Sequence, residues 1–172
     1  GVDYNAVVFG DKDEGGNTYQ DGRCEVYTTD SSPLASERSK FANPDDHLIL
    51  PEIISKEPLG PVVRQGDETW FKIARWTYYA LLEAEELGVT QANVDEQLGS
   101  DNPAVKRLLG VEGDFGTPLG LTKDWAYQIV KHIGNYGESY ERHVGPSTPI
   151  GLARGLNALW TNGGLQYSPP FR

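Results

Sequence analysis

The sequence predicts an α/β fold that gives way to helices. Two observations carry this. Short β-branched runs alternate with helical stretches over the first third, and from Asp67 onward most periodic stretches repeat at helical spacing. The composition agrees: 172 residues with 38% hydrophobic, 10% aromatic and 23% charged residues describe a folded chain, not a disordered one.

"NAVVFG" reads as a short buried strand, followed by the polar, glycine-interrupted "DKDEGGNTYQDG", a weak helix or loop. "CEVYTT" is a second strand, rich in β-branched and aromatic residues. "SSPLASERSKF" opens a helix, with Ser32 as N-cap and Pro33 in the first helical position. After "ANPDD", "HLILPEIIS" is a third strand, and the alternation favours parallel pairing. "LGPVVR" is a strand candidate in which Pro58 and Pro61 lack ladder donors, which places it at an edge or a crossover.

The next helix is the clearest element, running from Asp67 as N-cap to Gly88 beyond its C-terminus. Trp70, Ile73, Ala74, Thr77, Ala80, Leu81, Ala84 and Leu87 share one face, which Phe71, Tyr78 and Leu82 widen, so extensive burial is expected. Thr90 is placed to cap "QANVDEQLG", and Asn102 with Pro103 opens "PAVKRLLG". "VEGDFGTPLGL" is a loop. Thr122 then caps a helix striped by Trp125, Ile129, Ile133, Tyr136 and Tyr140, with a bend expected at Gly134 and Gly137. "TPIGLARGLNALW" reads as helical and "NGGLQYSPPFR" as extended. The change of character places a boundary near Lys56.

A net charge of −10 disfavours nucleic-acid and anionic-membrane partners. No apolar run approaches the roughly 20 residues needed to span a bilayer. Cys24 is the only cysteine, best read as a small core hydrophobe, and excludes an intrachain disulfide. "GVDYNAVVFG" lacks the basic flank of a secretion signal, which fits a cytosolic chain, a mature secreted one or a fragment. His47, His132 and His143 are too scattered for a recognisable metal site, and no phosphate loop or Gly-x-Ser-x-Gly is present. Glu138, Glu141 and His143 are better explained as a solvated helix face than as an acid/base cluster, and "EAEELG" as a charged helix end. No cofactor, metal or catalytic residue is assigned.

"GRCEVYTTD" poses the question that bears on function. It reads as a buried strand yet ends in Asp30, and carboxylates are rarely buried without a partner, because desolvating the charge costs several kcal/mol. One answer is that Asp30 N-caps the following helix.

"GRCEVYTTD", "ISKEPLGPVVRQGDETWF", "RWTYYALLEAEELGVT", "SDNPAVKRLLG", "DWAYQIVKHIGNYGESYERHVG" and "GLARGLNALWTNGGLQYSPPFR" together resemble the C-terminal half of general L-amino-acid-binding periplasmic proteins. These are the family-3 solute-binding proteins of polar amino-acid ABC transporters. The resemblance implies a type II periplasmic-binding-protein fold, C-terminal half only, with an added helical C-terminal tail. Residues 1–56 would be the end of lobe two. Residues 57–90 would supply the crossover strand and long helix of lobe one, and 91–172 a helical extension packed on that lobe. It further implies a periplasmic, non-enzymatic protein that closes its lobes around an L-amino acid and delivers it to an inner-membrane ABC permease. The half that the resemblance leaves out would come from a separate N-terminal-half chain or be replaced by a second copy of this one. A non-binding structural remnant of the fold is the alternative, and an enzyme derived from it a further one.

In the family, the acidic residue that closes this lobe-two strand contacts the ligand's α-ammonium, and Asp30 stands at that position. Thr28 and Thr29 are secondary candidates, one of which strand alternation would turn into the sheet core. None of the arginines occupies the family's α-carboxylate position, so no carboxylate ligand is assigned. The chain departs from its relatives in the "SSP" after Asp30 and in "EGGNTY", where they carry a better helix former.

Overall fold

The computed structural model describes residues 3–55 and 58–172. The chain divides into two compact units, Gly1–Glu57 and Pro58–Arg172. Lys56, at the boundary expected from sequence, lies outside the described residues.

The first unit contains two helices. α1, Lys12–Gln20, forms despite its two glycines because Asp11 accepts from the amides of Asp13 and Glu14 at 2.7 and 3.2 Å. Gly15 is there for space: a Cβ would lie 3.1 Å from the Tyr27 ring and 3.5 Å from Phe9. α2, Ser31–Lys40, starts two residues earlier than expected, with Asp30 instead of Ser32 as N-cap. Pro33 tolerates this, since a third-position amide has no intrahelical partner in any case. Tyr19, Phe41 and His47 pack ring on ring, and Tyr19 Oη lies 2.9 Å from His47 Nδ1. Glu37 is buried beside Lys40 at 2.7 Å and Lys12 at 3.9 Å.

The expected strands are extended but do not pair. Among the described residues no backbone hydrogen bond joins residues 3–9, 24–29, 48–54 or 58–63 to another segment, and the one bridge is Leu159 with Gln166. A strand needs a neighbour to bond its alternate peptide groups, and local sequence cannot supply one. Their apolar side chains, Val7, Val8, Val26, Leu48, Leu50, Ile53, Ile54 and Val62, therefore face solvent. Cys24 is likewise half-buried, not a core residue.

The second unit is helical. α3, Glu68–Glu86, is capped by the Asp67 carboxylate on the Trp70 amide at 2.9 Å and ends at Gly88, whose φ of 69° reverses the chain. Its burial is uneven. Ala80, Leu82, Glu83 and Ala84 are buried, whereas Trp70 and Phe71 remain exposed, so the continuous buried face expected from periodicity stops midway. After a Thr90–Asn93 turn come α4, Val94–Gln97, and α5, Pro103–Leu108, which is capped by Asn102. α6, Trp125–Ile133, follows Asp124 instead of the expected cap Thr122; it is divided from α7, Tyr136–His143, at Gly134 (φ 78°), and α7 restarts through a reciprocal Asn135–Glu138 cap. Ala80, Ala84, Val89, Val105, Leu108, Leu109, Trp125, Ala126 and Val130 make the core.

The final stretch differs from expectation. Residues 148–160 are not an α-helix but irregular chain with a 3-10 segment at Gly155–Asn157 and a second beginning at Trp160, because Gly151 and Gly155 take φ of 67° and 48°. What fixes the tail is its side chains. Phe171 is 4% exposed, seated against Trp76, Phe115 and Trp125, and its carbonyl accepts from Arg107 Nε at 2.8 Å. Arg154 pairs with Glu85 at 3.0 Å, between the rings of Tyr136 and Tyr140. Gly137 admits this pair, since a Cβ there would meet Arg154 Nη1 at 2.8 Å. Tyr78 donates to Gln166, and burial, aided by Tyr136, pushes its pKa up to about 12. The "EAEELG" acids are thus not simply a solvated helix end.

Two outcomes follow for the second unit. Phe171→Ala should lower its unfolding free energy by about 3–5 kcal/mol, the usual loss for a buried aromatic, measured by urea denaturation with tryptophan fluorescence. Glu83 has its pKa raised first by burial and then by Glu86, while Ser168 and Arg107 oppose the shift. The native state therefore holds the Glu83 proton to higher pH than the unfolded chain does. Stability falls as pH rises from the ordinary carboxyl range through the raised value. Glu83→Gln should flatten that fall in midpoints measured between pH 4 and 8.

Candidate functional site

The Asp30 region is built from the extended segment 24–29 and the start of α2. Tyr27 anchors the segment: its ring sits against Gly15 of α1, 3.1 Å from where a Cβ would lie, so a methyl group there would press on the ring, and burial raises its pKa first, with Glu37, Asp13 and Asp11 adding to the shift. Three residues on, Asp30 turns the chain into α2 with φ −58° and ψ 151°, and its carbonyl accepts the Leu34 amide at 2.9 Å.

The Asp30 carboxylate does something else, or rather nothing within the chain. It makes no capping bond to the first turn, and no hydrogen bond or ion pair involves it among the described residues. Among the described residues six side-chain carboxylates belong to residues at least partly covered by the fold: Asp30, Glu37, Glu83, Glu85, Asp124 and Glu138. Glu37 pairs with Lys40, and Glu83 is flanked by Ser168 and Arg107. Glu85 pairs with Arg154, Asp124 accepts from Gln128 and Glu138 from Asn135. Of these six, Asp30 alone lacks a hydrogen-bond or ion-pair partner among the described residues.

Thr28 and Thr29 are both exposed, so neither points into a core, and the alternation expected of a paired strand has no sheet to act on. No group of three or more metal-ligating side chains converges among the described residues. His47 is engaged with Tyr19 in the first unit, while His132 and His143 lie on α6 and α7. Glu138 is held by the α7 cap. Sequence reading missed a second feature, an open apolar groove of about 480 Å³ in the helical unit, lined by Ile73, Thr77, Leu121, Trp125 and Ile129. The i, i+4 spacing of Ile73 with Thr77 and of Trp125 with Ile129 was a visible signal, but periodicity alone does not separate a core stripe from an open one.

No family model matches the chain. It is 60% identical over 173 aligned residues to a general L-amino-acid-binding periplasmic protein of Rhizobium johnstonii, covering 99% of this chain and 51% of that protein. It is 55% identical to a glutamate/glutamine/aspartate/asparagine-binding protein of Rhodobacter capsulatus, over 98% of this chain and 50% of that one. Among solved structures, an ABC-transporter periplasmic binding protein from Brucella ovis with glutathione bound superposes with a TM-score of 0.92 at 58% identity, over 98% of this chain and 53% of that one. The chain spans about half the length of the curated relatives it matches, and it is their C-terminal half that it resembles.

The free Asp30 side chain has a consequence for stability. Asp30→Ala should change the hydrogen-exchange protection of α2 by under about 0.5 kcal/mol, whereas Asp11→Ala, which removes a real cap, should cost α1 about 1 kcal/mol. A loss at Asp30 equal to that at Asp11 would return it to a capping role.

Proposed function

We propose that the chain is the C-terminal half of a periplasmic solute-binding protein that takes up L-amino acids for an ABC permease, and that Asp30 receives the ligand's α-ammonium. The single observation that carries the site is the unpartnered carboxylate of Asp30 among five partnered ones. On this reading residues 1–56 close lobe two, residues 57–90 return to lobe one with its long helix, and residues 91–172 extend that lobe. Thr28 and Thr29 flank the ligand. The role is binding and release through lobe closure, not catalysis.

The relatives also suggest which head group is read. One is named for glutamate, glutamine, aspartate and asparagine, and the solved neighbour holds glutathione. Glutathione is a glutamate whose side-chain carboxyl is joined as an amide to the amine of a Cys-Gly dipeptide, and its γ-glutamyl end keeps a free α-ammonium and α-carboxylate. A site that reads those two charges and leaves the side-chain end open accommodates both. Asp30 supplies the acceptor for the first of them through a charge-assisted hydrogen bond.

The alternative, a scaffold that binds no solute, is favoured by the unpaired extended segments of this chain. Calorimetric titration decides between them. The chain is fused behind the N-terminal half of the 60%-identical Rhizobium protein and titrated with L-glutamine, L-glutamate and glutathione. Competitive binding of the three is expected. Asp30→Ala should weaken it by about 2–5 kcal/mol, roughly 30-fold to several thousand-fold, with the fold intact. Unchanged affinity in Asp30→Ala removes the site, and no binding by the fused protein removes the reading.

A further inference from the structure

The two elements that meet at Asp30 are both seated on α1. Among the described residues no backbone hydrogen bond joins residues 24–29 to another segment, so side chains place this stretch. Within it Cys24 and Tyr27 are partly covered, while Glu25, Val26, Thr28 and Thr29 face solvent. Tyr27 is the nearer to Asp30, and the three extended residues between them span about 10 Å. Its ring lies on Gly15, 3.1 Å from the position a Cβ would take, and Phe9 closes on the same spot at 3.5 Å. α2, which leaves Asp30 on the other side, is tied to the same helix. Its Ala35 and Glu37 are buried, and the Glu37 carboxylate lies 3.8 Å from the Cβ position of Gly16 and 3.9 Å from Lys12 Nζ. Two adjacent buried glycines thus receive the two flanks of Asp30: Gly15 takes the ring before it, and Gly16 the carboxylate after it. Glycine is a poor helix former, and here the space left by its missing side chain is used on both sides.

We infer that Tyr27 is the positioning residue for Asp30: its ring, seated on Gly15, fixes where segment 24–29 delivers the Asp30 carboxylate to an incoming ammonium. The inference rests on the reading of Asp30 as the ammonium acceptor and adds how that acceptor is held. A charge-assisted hydrogen bond depends on distance and angle, and a ligand group held in place beforehand binds more tightly than one that must be ordered on binding. The Asp30 side chain makes no bond within the chain that could hold it, so its place is set through the backbone on either side. Glu37 and Ala35 secure the later side, and the Tyr27 ring secures the earlier one. The ring contact carries this, not the hydroxyl, whose bond to the Lys12 carbonyl is 3.5 Å long and therefore weak.

The test is a double-mutant cycle on L-glutamine affinity, measured by calorimetry in the chain fused behind the N-terminal half of the 60%-identical Rhizobium protein. Tyr27→Ala should weaken binding about 10-fold or more, and Tyr27→Phe, which keeps the ring, by no more than about 2-fold. In an Asp30→Asn background, where the charge is gone but an acceptor remains, Tyr27→Ala should cost no more than about 2-fold. A residue that merely supported the fold would weaken both backgrounds alike, and that outcome overturns the inference. So does unchanged affinity in Tyr27→Ala, or a loss in Tyr27→Phe equal to that in Tyr27→Ala. If Tyr27→Ala lowers the helical circular dichroism, Gly15→Ala takes its place in the cycle, because the added methyl group presses on the ring without removing it. A loss of about 3-fold or more that vanishes in Asp30→Asn then upholds the inference, and no loss in either background overturns it. The two readings fail separately. Asp30→Asn without effect on the parent affinity removes the ammonium site and the inference with it, whereas a loss in Asp30→Asn with both Tyr27→Ala and Gly15→Ala indifferent removes the positioning role alone.

Discussion

Every backbone amide and carbonyl needs a partner, and how a segment finds one divides this molecule. A helix bonds its peptide groups to itself, so the second unit closes largely on its own sequence: about two-fifths of its residues lie in α-helices and need no distant neighbour to become regular. An extended segment must find another, and residues 3–9, 24–29, 48–54 and 58–63 have none among the described residues. Their amides remain with water, which costs little, but the side chains between them gain nothing. Val62 is 95% exposed and Val8 91%, values no paired strand with a covered face would show. The first unit is consequently held by α1, α2 and the ring cluster of Tyr19, Phe41 and His47.

α3 shows the same constraint at the level of side chains. Its C-terminal half meets α5, α6, α7 and the returning tail, and there even acids are enclosed: Glu83 is buried beside Ser168, and Glu85 is locked to Arg154 between two tyrosines. Toward its N-terminus Ile73 and Trp76 still reach the core, but Trp70 and Phe71 do not, although the apolar stripe continues through them. A helix does not know from its own pattern how far its partner extends. Phe171 makes the contrast plain, since a residue one position from the chain's last joins three aromatic rings across the core, while Trp70 on the principal helix stays half in water.

What was legible in the sequence follows from this. Helix ends were, because caps are local: Asp67 and Gly88 bound α3, Asn102 and Pro103 open α5, and Gly134 divides α6 from α7. The strand pairing was not, because a ladder joins residues far apart in sequence. Nor were the close approaches at Gly15 and Gly137, which look like helix weaknesses until the Tyr27 ring and the Arg154 guanidinium lie against them. The helix expected over residues 148–160 failed for a local reason that was visible but underweighted, two glycines in a row of turns. The start of α2 was misplaced by two residues because Pro33 suits the first helical position but is also tolerated at the third.

That two-residue difference bears on the site. All seven α-helices among the described residues begin after an Asp or Asn: Asp11, Asp30, Asp67, Asn93, Asn102, Asp124 and Asn135. Four of these side chains cap the first turn, Asn93 accepts from the Thr90 amide, and Asp124 accepts from Gln128. The chain therefore uses this position for a bond wherever it can, and the residue type at Asp30 is suited to the same use. Pro33, at the third helical position, has no N–H to offer the Asp30 side chain, so the Ser32 amide is the cap donor left to it, and forgoing that bond gives up at most about 1 kcal/mol of helix stability. Two ways of explaining it are open. Backbone geometry forbids the bond, or something outside the chain occupies the carboxylate. The first is weakened by the ψ of 151° at Asp30, the extended value from which an N-cap side chain ordinarily reaches its helix, as Asp11 does at 137°. The second accounts for the position as well as the residue, because a carboxylate already bonded to its own helix would have to break that bond before meeting an ammonium.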